Sequence, residues 1–106
     1  MATKKETMDY LLGQLQELEK VRYLKMFGEY GIYFQEKMIA LVCDDQLYIK
    51  PTKAGKEYLG EVEEAPPYPG AKNWFLVPEE DWEDAVWLGG LIRATTPEVP
   101  LPKKRK

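Results

Sequence analysis

The stretch Met26-Phe27-Gly28-Glu29-Tyr30-Gly31-Ile32-Tyr33-Phe34, followed by Met38-Ile39-Ala40-Leu41-Val42-Cys43 and Asp44-Asp45-Gln46-Leu47-Tyr48-Ile49-Lys50, decides the fold. It gathers most of the β-branched and aromatic residues of the first half of the chain into short runs bounded by polar pairs, the signature of strands joined by tight turns. The runs predict strands over residues 30–34, 38–43 and 46–50, with turns at 35–37 and at Asp44-Asp45. Aspartate suits such a turn because it tolerates positive φ and hydrogen-bonds its own backbone. Side chains alternate along a strand, so Met38, Ala40 and Val42 are expected on one face of the middle run and Ile39, Leu41 and Cys43 on the other. Both sets are apolar. That predicts a central strand covered on both faces, or one face lying at a dimer contact.

On the N-terminal side, Met8, Leu11, Leu12, Leu15 and Leu18 recur at helical spacing, and Thr3 with Glu6 reads as a capping box. A first helix is expected over residues 5–19, with Lys20, Arg22 and Lys25 beyond its end, where positive charge suits the helix dipole. On the C-terminal side, Pro51 stops the third strand, Thr52 caps a short helix over 53–59, and Gly60 ends it. Residues 61–70, with Pro66-Pro67-Tyr68-Pro69-Gly70, read as loop. Trp74-Phe75-Leu76-Val77 is a further strand, with a short pairing expected before it near Tyr68. Glu79-Glu80-Asp81 place negative charge in the first turn of a last helix running from Asp81 or Asp84 to Ala94, whose buried stripe is Trp87, Leu88, Leu91 and Ile92. Gly89-Gly90 inside that helix costs about 2 kcal/mol of intrinsic propensity, which requires a bend or a close backbone approach.

The chain thus reads as α+β, with one antiparallel sheet and helices packed on it. Its 106 residues, 44% hydrophobic, suffice for one core and one domain, placed at 1–96. Residues 97–106 are expected to form an extended tail, held by prolines at 97, 100 and 102. The N-terminus lacks the apolar stretch of a signal peptide and no run approaches a membrane span, which predicts a cytoplasmic protein with no membrane partner.

Composition excludes several chemistries. The chain has neither serine nor histidine, so no Ser-His-Asp arrangement, imidazole base or Cys-His pair can be built from it alone. With one cysteine and no histidine, the usual zinc sites are out of reach, and no cofactor is expected. Cys43 is the single strong nucleophile, but its place in an interior strand beside Asp44 and Asp45 predicts an inert thiol of raised pKa. The acidic clusters at 44–45 and 79–84 lack calcium-loop spacing and read as a turn and a helix start. Trp74, Trp82 and Trp87 lack the interleaved arginines of a base-stacking surface and read as core and interface. Four of the positive charges, Lys103, Lys104, Arg105 and Lys106, sit together in the tail. Removing them from the net charge of −3 leaves a body of −7, which disfavours specific DNA binding by the folded part.

The run from Lys25 to Tyr33, with the motif residues Met26, Phe27, Gly28, Tyr30 and Gly31, then 38–42 and 46–50, resembles the TfoX/Sxy N-terminal domain family, named for regulators of natural competence. The later segments 67–72, Trp87-Leu88, Leu91-Ile92-Arg93 and 101–104 resemble a stand-alone branch of that family with a basic tail. Glu29 stands where many relatives have a second glycine. The resemblance implies the order α-β-β-β-α-β-β-α seen in secretion chaperones, and a transcription-linked role in DNA uptake. No catalytic residues come with it. The function expected is a non-enzymatic regulatory module that binds a protein partner, with the transcription machinery or a second copy of the chain as candidates. The alternatives are a nucleic-acid-binding accessory protein using the basic tail, and an enzyme with an unrecognised site.

Overall fold

The computed structural model describes residues 3–26 and 29–99, so the motif residues Phe27 and Gly28 and the basic residues Lys103, Lys104, Arg105 and Lys106 lie outside the described residues. In chain order the elements are α1 (Lys5–Gln14), β1 (Val21–Met26), β2 (Glu29–Phe34), β3 (Lys37–Cys43), β4 (Gln46–Ile49), α2 (Lys53–Leu59), β5 (Glu63–Ala65), β6 (Trp74–Val77) and α3 (Ala85–Thr95). The six strands form one sheet in the order β1-β2-β3-β4-β6-β5, and every neighbouring pair is antiparallel. The fold is α+β, and the expected order holds with one strand added.

That strand is β1. Val21-Arg22-Tyr23-Leu24-Lys25-Met26 pairs along its whole length with β2, so Arg22 and Lys25 lie on an edge strand and not at a helix end. Helix α1 correspondingly stops at Gln14, five residues early, although Leu15 and Leu18 are still buried. The expected capping box is absent. Lys4 is the N-cap and contributes no side-chain bond. Thr3 instead donates to Glu29 Oε1 at 2.5 Å, and Asp45 Oδ1 takes over the capping role, accepting from Lys4 N at 2.8 Å and Thr7 Oγ1 at 2.9 Å. A carboxylate from a distant turn thus satisfies the N-cap amide that a local side chain would otherwise serve, and holds the Thr7 hydroxyl beside it.

The β-hairpins follow turn chemistry. Gln35 and Glu36 (φ 54° and 68°) and Asp44 and Asp45 (φ 53° and 61°) form two-residue turns with both central residues left-handed, the type I′ geometry that matches strand twist. Lys37 therefore opens β3 and does not belong to the turn. Gly31 lies inside a strand. It is the third residue of β2, paired with Leu24 on one side and Leu41 on the other.

Alternation along β3 is broken once. Ile32 faces Ala40 but Tyr33 faces Met38, so Ile39 is the extra residue of a bulge. In consequence Ile39 joins Ala40 and Val42 beneath the helices, whereas Met38 packs with Leu41, Cys43 and Tyr48 on the other face. The expected assignment of Met38 and Ile39 is thereby exchanged. The apolar character of both faces is explained by two clusters, one on each side of the sheet.

The main core packs α1 and α3 against the inner sheet face through Met8, Leu11, Leu88, Leu91 and Ile92 over Ile32, Val42 and Ile49. Burying each such side chain stabilises by about 1.5–3 kcal/mol, enough to override the glycine pair in α3. The pair marks close packing. A methyl on Gly90 would collide with the Tyr58 hydroxyl, which donates to Trp87 O at 2.8 Å. Glu79–Glu83 form a separate 3-10 turn, and α3 starts after Asp84, whose side chain accepts from Trp87 N at 3.0 Å. At the other end Thr96–Glu98 is a 3-10 turn, not extended chain, and Val99 is buried in the core. Glu98 caps α2, accepting from Lys53 N at 2.9 Å and Ala54 N at 3.0 Å alongside the expected Thr52 cap. The short strand before β6 is Glu63–Ala65, earlier than the pairing expected near Tyr68.

Candidate interaction face

Among the described residues no helix packs on the outer sheet face. Register places Arg22 and Leu24 of β1, Gly31 and Tyr33 of β2, Leu41 and Cys43 of β3, Tyr48 of β4 and Leu76 of β6 on this side. Leu41, Cys43 and Tyr48 are buried there, with Met38, Trp74, Leu76 and Ala65 packed around them. What partly covers them is the loop between β5 and β6. Pro67 is buried, and Tyr68-Pro69-Gly70-Ala71 closes a turn with Ala71 N donating to Tyr68 O at 3.1 Å. Proline at the second position and Gly70 at φ 87° at the third give it the type II pattern. This turn holds Tyr68, 56% exposed, out over the sheet.

Between that loop and the sheet runs a groove of about 580 Å³, lined by Tyr30, Met38, Leu41, Cys43, Tyr68 and Trp74. Gly31 pairs with Leu41 of its floor. Glu29 lines one end of the groove. Its Oε1 also accepts from Asp44 N at 3.1 Å, so Glu29 holds the N-terminal segment and the β3–β4 turn together. At the opposite end the Lys50 ammonium lies 5.8 Å from the centre of the Trp74 ring.

The electrostatics of this face are acidic. Burial, then Glu29 and Asp44, push the Cys43 thiol up to about 11, so at neutral pH it is protonated. Sequence reasoning placed the thiol correctly, with Glu29 taking the part assigned to Asp45. The Tyr48 phenol is likewise raised, first by burial and then by Cys43, Asp44, Glu29 and Glu63. Three carboxylates, Glu29, Asp44 and Glu63, therefore act on the Cys43 and Tyr48 end of the apolar floor, while Lys50 lies at the Trp74 end. A wider concavity of about 780 Å³ opens between α1 and the 79–83 turn, lined by Glu6, Tyr10, Glu79, Glu80 and Glu83. It is shallow, and among the described residues no cluster of acidic or cysteine side chains is close enough to hold a metal ion.

Of the motif residues, Tyr30 lines the groove and Gly31 pairs with Leu41 beside it, whereas Met26 ends β1 opposite Glu29. The described motif residues thus pair across β1 and β2, and one of them lines the groove. The sequence reading did not find the groove, because Tyr68 and Trp74 reach it from a loop and a strand far along the chain. The available signal was Tyr68, set between Pro67 and Pro69, with Trp74 following at the start of a strand.

The TfoX N-terminal domain family matches residues 13–98, most of the chain and all of the sheet. The chain belongs to that family. It is also similar to an uncharacterized 12.7 kDa protein from the trpE 5′ region of Spirochaeta aurantia, 38% identical over 106 residues that span 100% of this chain and 91% of the relative. Within the TfoX N-terminal domain family, the features described above give this member an open sheet face with an aromatic groove. Among its described residues no helix is long and apolar enough to cross a membrane.

Proposed function

We propose that this protein is a non-enzymatic, cytoplasmic regulatory module of the competence-regulator type, and that it acts by binding another protein through the outer sheet face. The observation that carries this reading is the groove itself. A largely apolar concavity walled by Met38, Leu41, Tyr68 and Trp74 and flanked by Glu29 is the form taken by sites that hold an extended segment of a partner. Aromatic side chains supply large contact area at low entropic cost, and the turn carrying Tyr68 is fixed by its proline and glycine. Family membership supports a regulatory role linked to DNA uptake. The protonated thiol favours binding over covalent catalysis at this face.

The test is a photo-crosslinking residue placed at position 68 in the native cell, compared with one at exposed Lys56 on the helix side. A defined protein adduct from position 68 alone, lost in Trp74→Ala, is expected, together with altered transcript levels of competence genes in the same variant. Equal adducts from both positions, or none from 68 with transcripts unchanged, would overturn the reading.

A further inference from the structure

Cross-strand register sorts the outer face into three bands. Through the middle, Leu24, Gly31, Leu41, Tyr48, Leu76 and Glu63 pair in turn across the six strands. On one side of that band lie Met38, Trp74 and Lys50. Lys50 N donates to Ile39 O at 2.9 Å, which sets it level with the first half of β3, and its ammonium lies 5.8 Å from the centre of the Trp74 ring. On the other side lie Cys43 and Glu29. Asp44 N donates to Glu29 Oε1 at 3.1 Å, which sets that carboxylate level with the end of β3. The groove thus has an apolar floor with a carboxylate at one end and an ammonium at the other.

Among the described residues neither charge meets its opposite in an ion pair. Those pairs join Lys5 to Asp9 and Arg22 to Glu36, and neither Glu29 nor Lys50 takes part. Both bonds to Glu29, from Thr3 Oγ1 and Asp44 N, go to Oε1, so among the described residues Oε2 has no donor. Burial, then Glu29 and Asp44, keep the Cys43 thiol protonated, so the floor between the two ends stays uncharged at neutral pH. The spacing of the ends suits a short extended peptide. From Ile39 to Cys43 the strand covers about 13 Å at about 3.3 Å per residue. A bound segment advances at the same rate and turns alternate side chains to one face, so its positions i, i+2 and i+4 reach Glu29, Leu41 and Lys50 together. Positions i+1 and i+3 face the loop that carries Tyr68. Opposite charges at the ends then set the register of the segment, and like charges there are rejected.

We propose that the outer groove selects an extended partner segment in which three apolar residues stand between a lysine or arginine and an aspartate or glutamate. The cation seats at Glu29 and the carboxylate at Lys50. This rests on the reading of the outer face as a protein-binding surface, and adds to it the chemistry of the segment bound. Charge fixes which end lies where, and the chain direction of the segment follows from the order of its two charges.

The experiment titrates the full chain with three capped peptides and follows the Trp74 indole and the Leu41 and Tyr68 amides by NMR. The first peptide is Gly-Arg-Val-Leu-Val-Glu-Gly, and the other two carry arginine at both charged positions or glutamate at both. The mixed peptide is expected to bind about threefold more tightly than either, the weight of one partly exposed ion pair. Glu29→Gln keeps an acceptor for Thr3 and Asp44 and should shrink the advantage of the mixed peptide over the glutamate one. Lys50→Glu should pass the preference to the arginine peptide. The Trp82 and Trp87 indoles, outside the groove lining, should stay in place in both variants and report an intact fold. Trp74→Ala should weaken all three peptides. Equal affinities that still fall in Trp74→Ala, or preferences unchanged in the two charge variants, would overturn this proposal and leave the protein-binding reading of the face standing. No binding by any peptide, or binding indifferent to Trp74→Ala, would overturn both. A dimer in sedimentation that Trp74→Ala dissociates would overturn the proposal as well, by assigning the groove to a second copy of the chain.

Discussion

Cys43 and Asp45 sit two residues apart and answer to opposite forces. The Cys43 thiol is raised to about 11 from 9.0 because burial and the Glu29 and Asp44 carboxylates disfavour its thiolate. Labelling of the native protein by a thiol reagent at neutral pH should therefore be slow against a denatured control, and Glu29→Gln should accelerate it. The linkage follows from the sign. The unfolded thiol loses its proton near pH 9 while the folded one keeps it, so the contribution of Cys43 to stability is full below pH 9 and shrinks between 9 and about 11. Asp45 is the reverse case, its pKa lowered first by the Lys4 amide and then by Thr7. Its stabilising contribution is present above its unfolded pKa and disappears as pH falls through the depressed folded value. Asp45→Asn keeps an acceptor and tolerates positive φ, so it should flatten the acid limb of the stability-against-pH curve without disrupting the turn. An unaltered acid limb would show that the Lys4 and Thr7 bonds do not depend on the charge.

Within elements, the glycine pair of α3 separates two effects that sequence alone merges. Gly89 has only Leu18 and Arg93 within ordinary contact distance of an added methyl, whereas at Gly90 that methyl would meet the Tyr58 ring and hydroxyl. Gly89→Ala should stabilise by up to about 1 kcal/mol through helix propensity. Gly90→Ala should destabilise by about 1 kcal/mol, because overpacking and the lost Tyr58–Trp87 bond outweigh the same gain. In a Tyr58→Ala background its sign should reverse, a double-mutant cycle read by denaturant unfolding. Strand β3 has paired neighbours on both sides and apolar cover on both faces. Its amides from Ala40 to Val42 should exchange with solvent far more slowly than those of edge strand β5, and equal rates would remove its central role. The other edge, β1, exposes Tyr23 and Leu24 at 52% and 54% and carries Arg22, bonded to Glu36 at 3.1 Å, and Lys25. Charges of this kind discourage edge-to-edge pairing.

For the molecule as a whole, charge distribution sets the expectation for nucleic acid. The body carries −7 and the basic cluster is confined to the tail. Duplex DNA should bind weakly and without sequence preference, with log K falling against log salt no more steeply than about −3.6, the limit for four phosphates. Reversing the charges of residues 103–106 should abolish it. Titration of several labelled duplexes tests this, and sequence-selective binding that survives the reversal would mean that the folded body reads DNA.

Periodicity and turn chemistry were sufficient for most of the elements. The strands around Cys43, the Asp44-Asp45 turn, the Thr52 cap, Gly60 and the family motif are local patterns, in which a few adjacent residues carry the physical cause. Strand β1 escaped because Val-Arg-Tyr-Leu-Lys-Met mixes charge and apolar residues at an edge, where burial does not impose clean alternation. The bulge at Ile39 depends on how two strands align, so the exchange of Met38 and Ile39 between faces was invisible in one strand read alone. Likewise the helix caps supplied by Asp45 and Glu98 join residues 41 and 45 positions apart in sequence. The groove joins Tyr30 to Trp74. Sequence alone determined which segments could form strands and helices, because those preferences are local. Tertiary packing decided which carboxylate caps which helix and which aromatic residues meet, because those contacts exist only once the sheet has brought distant residues together.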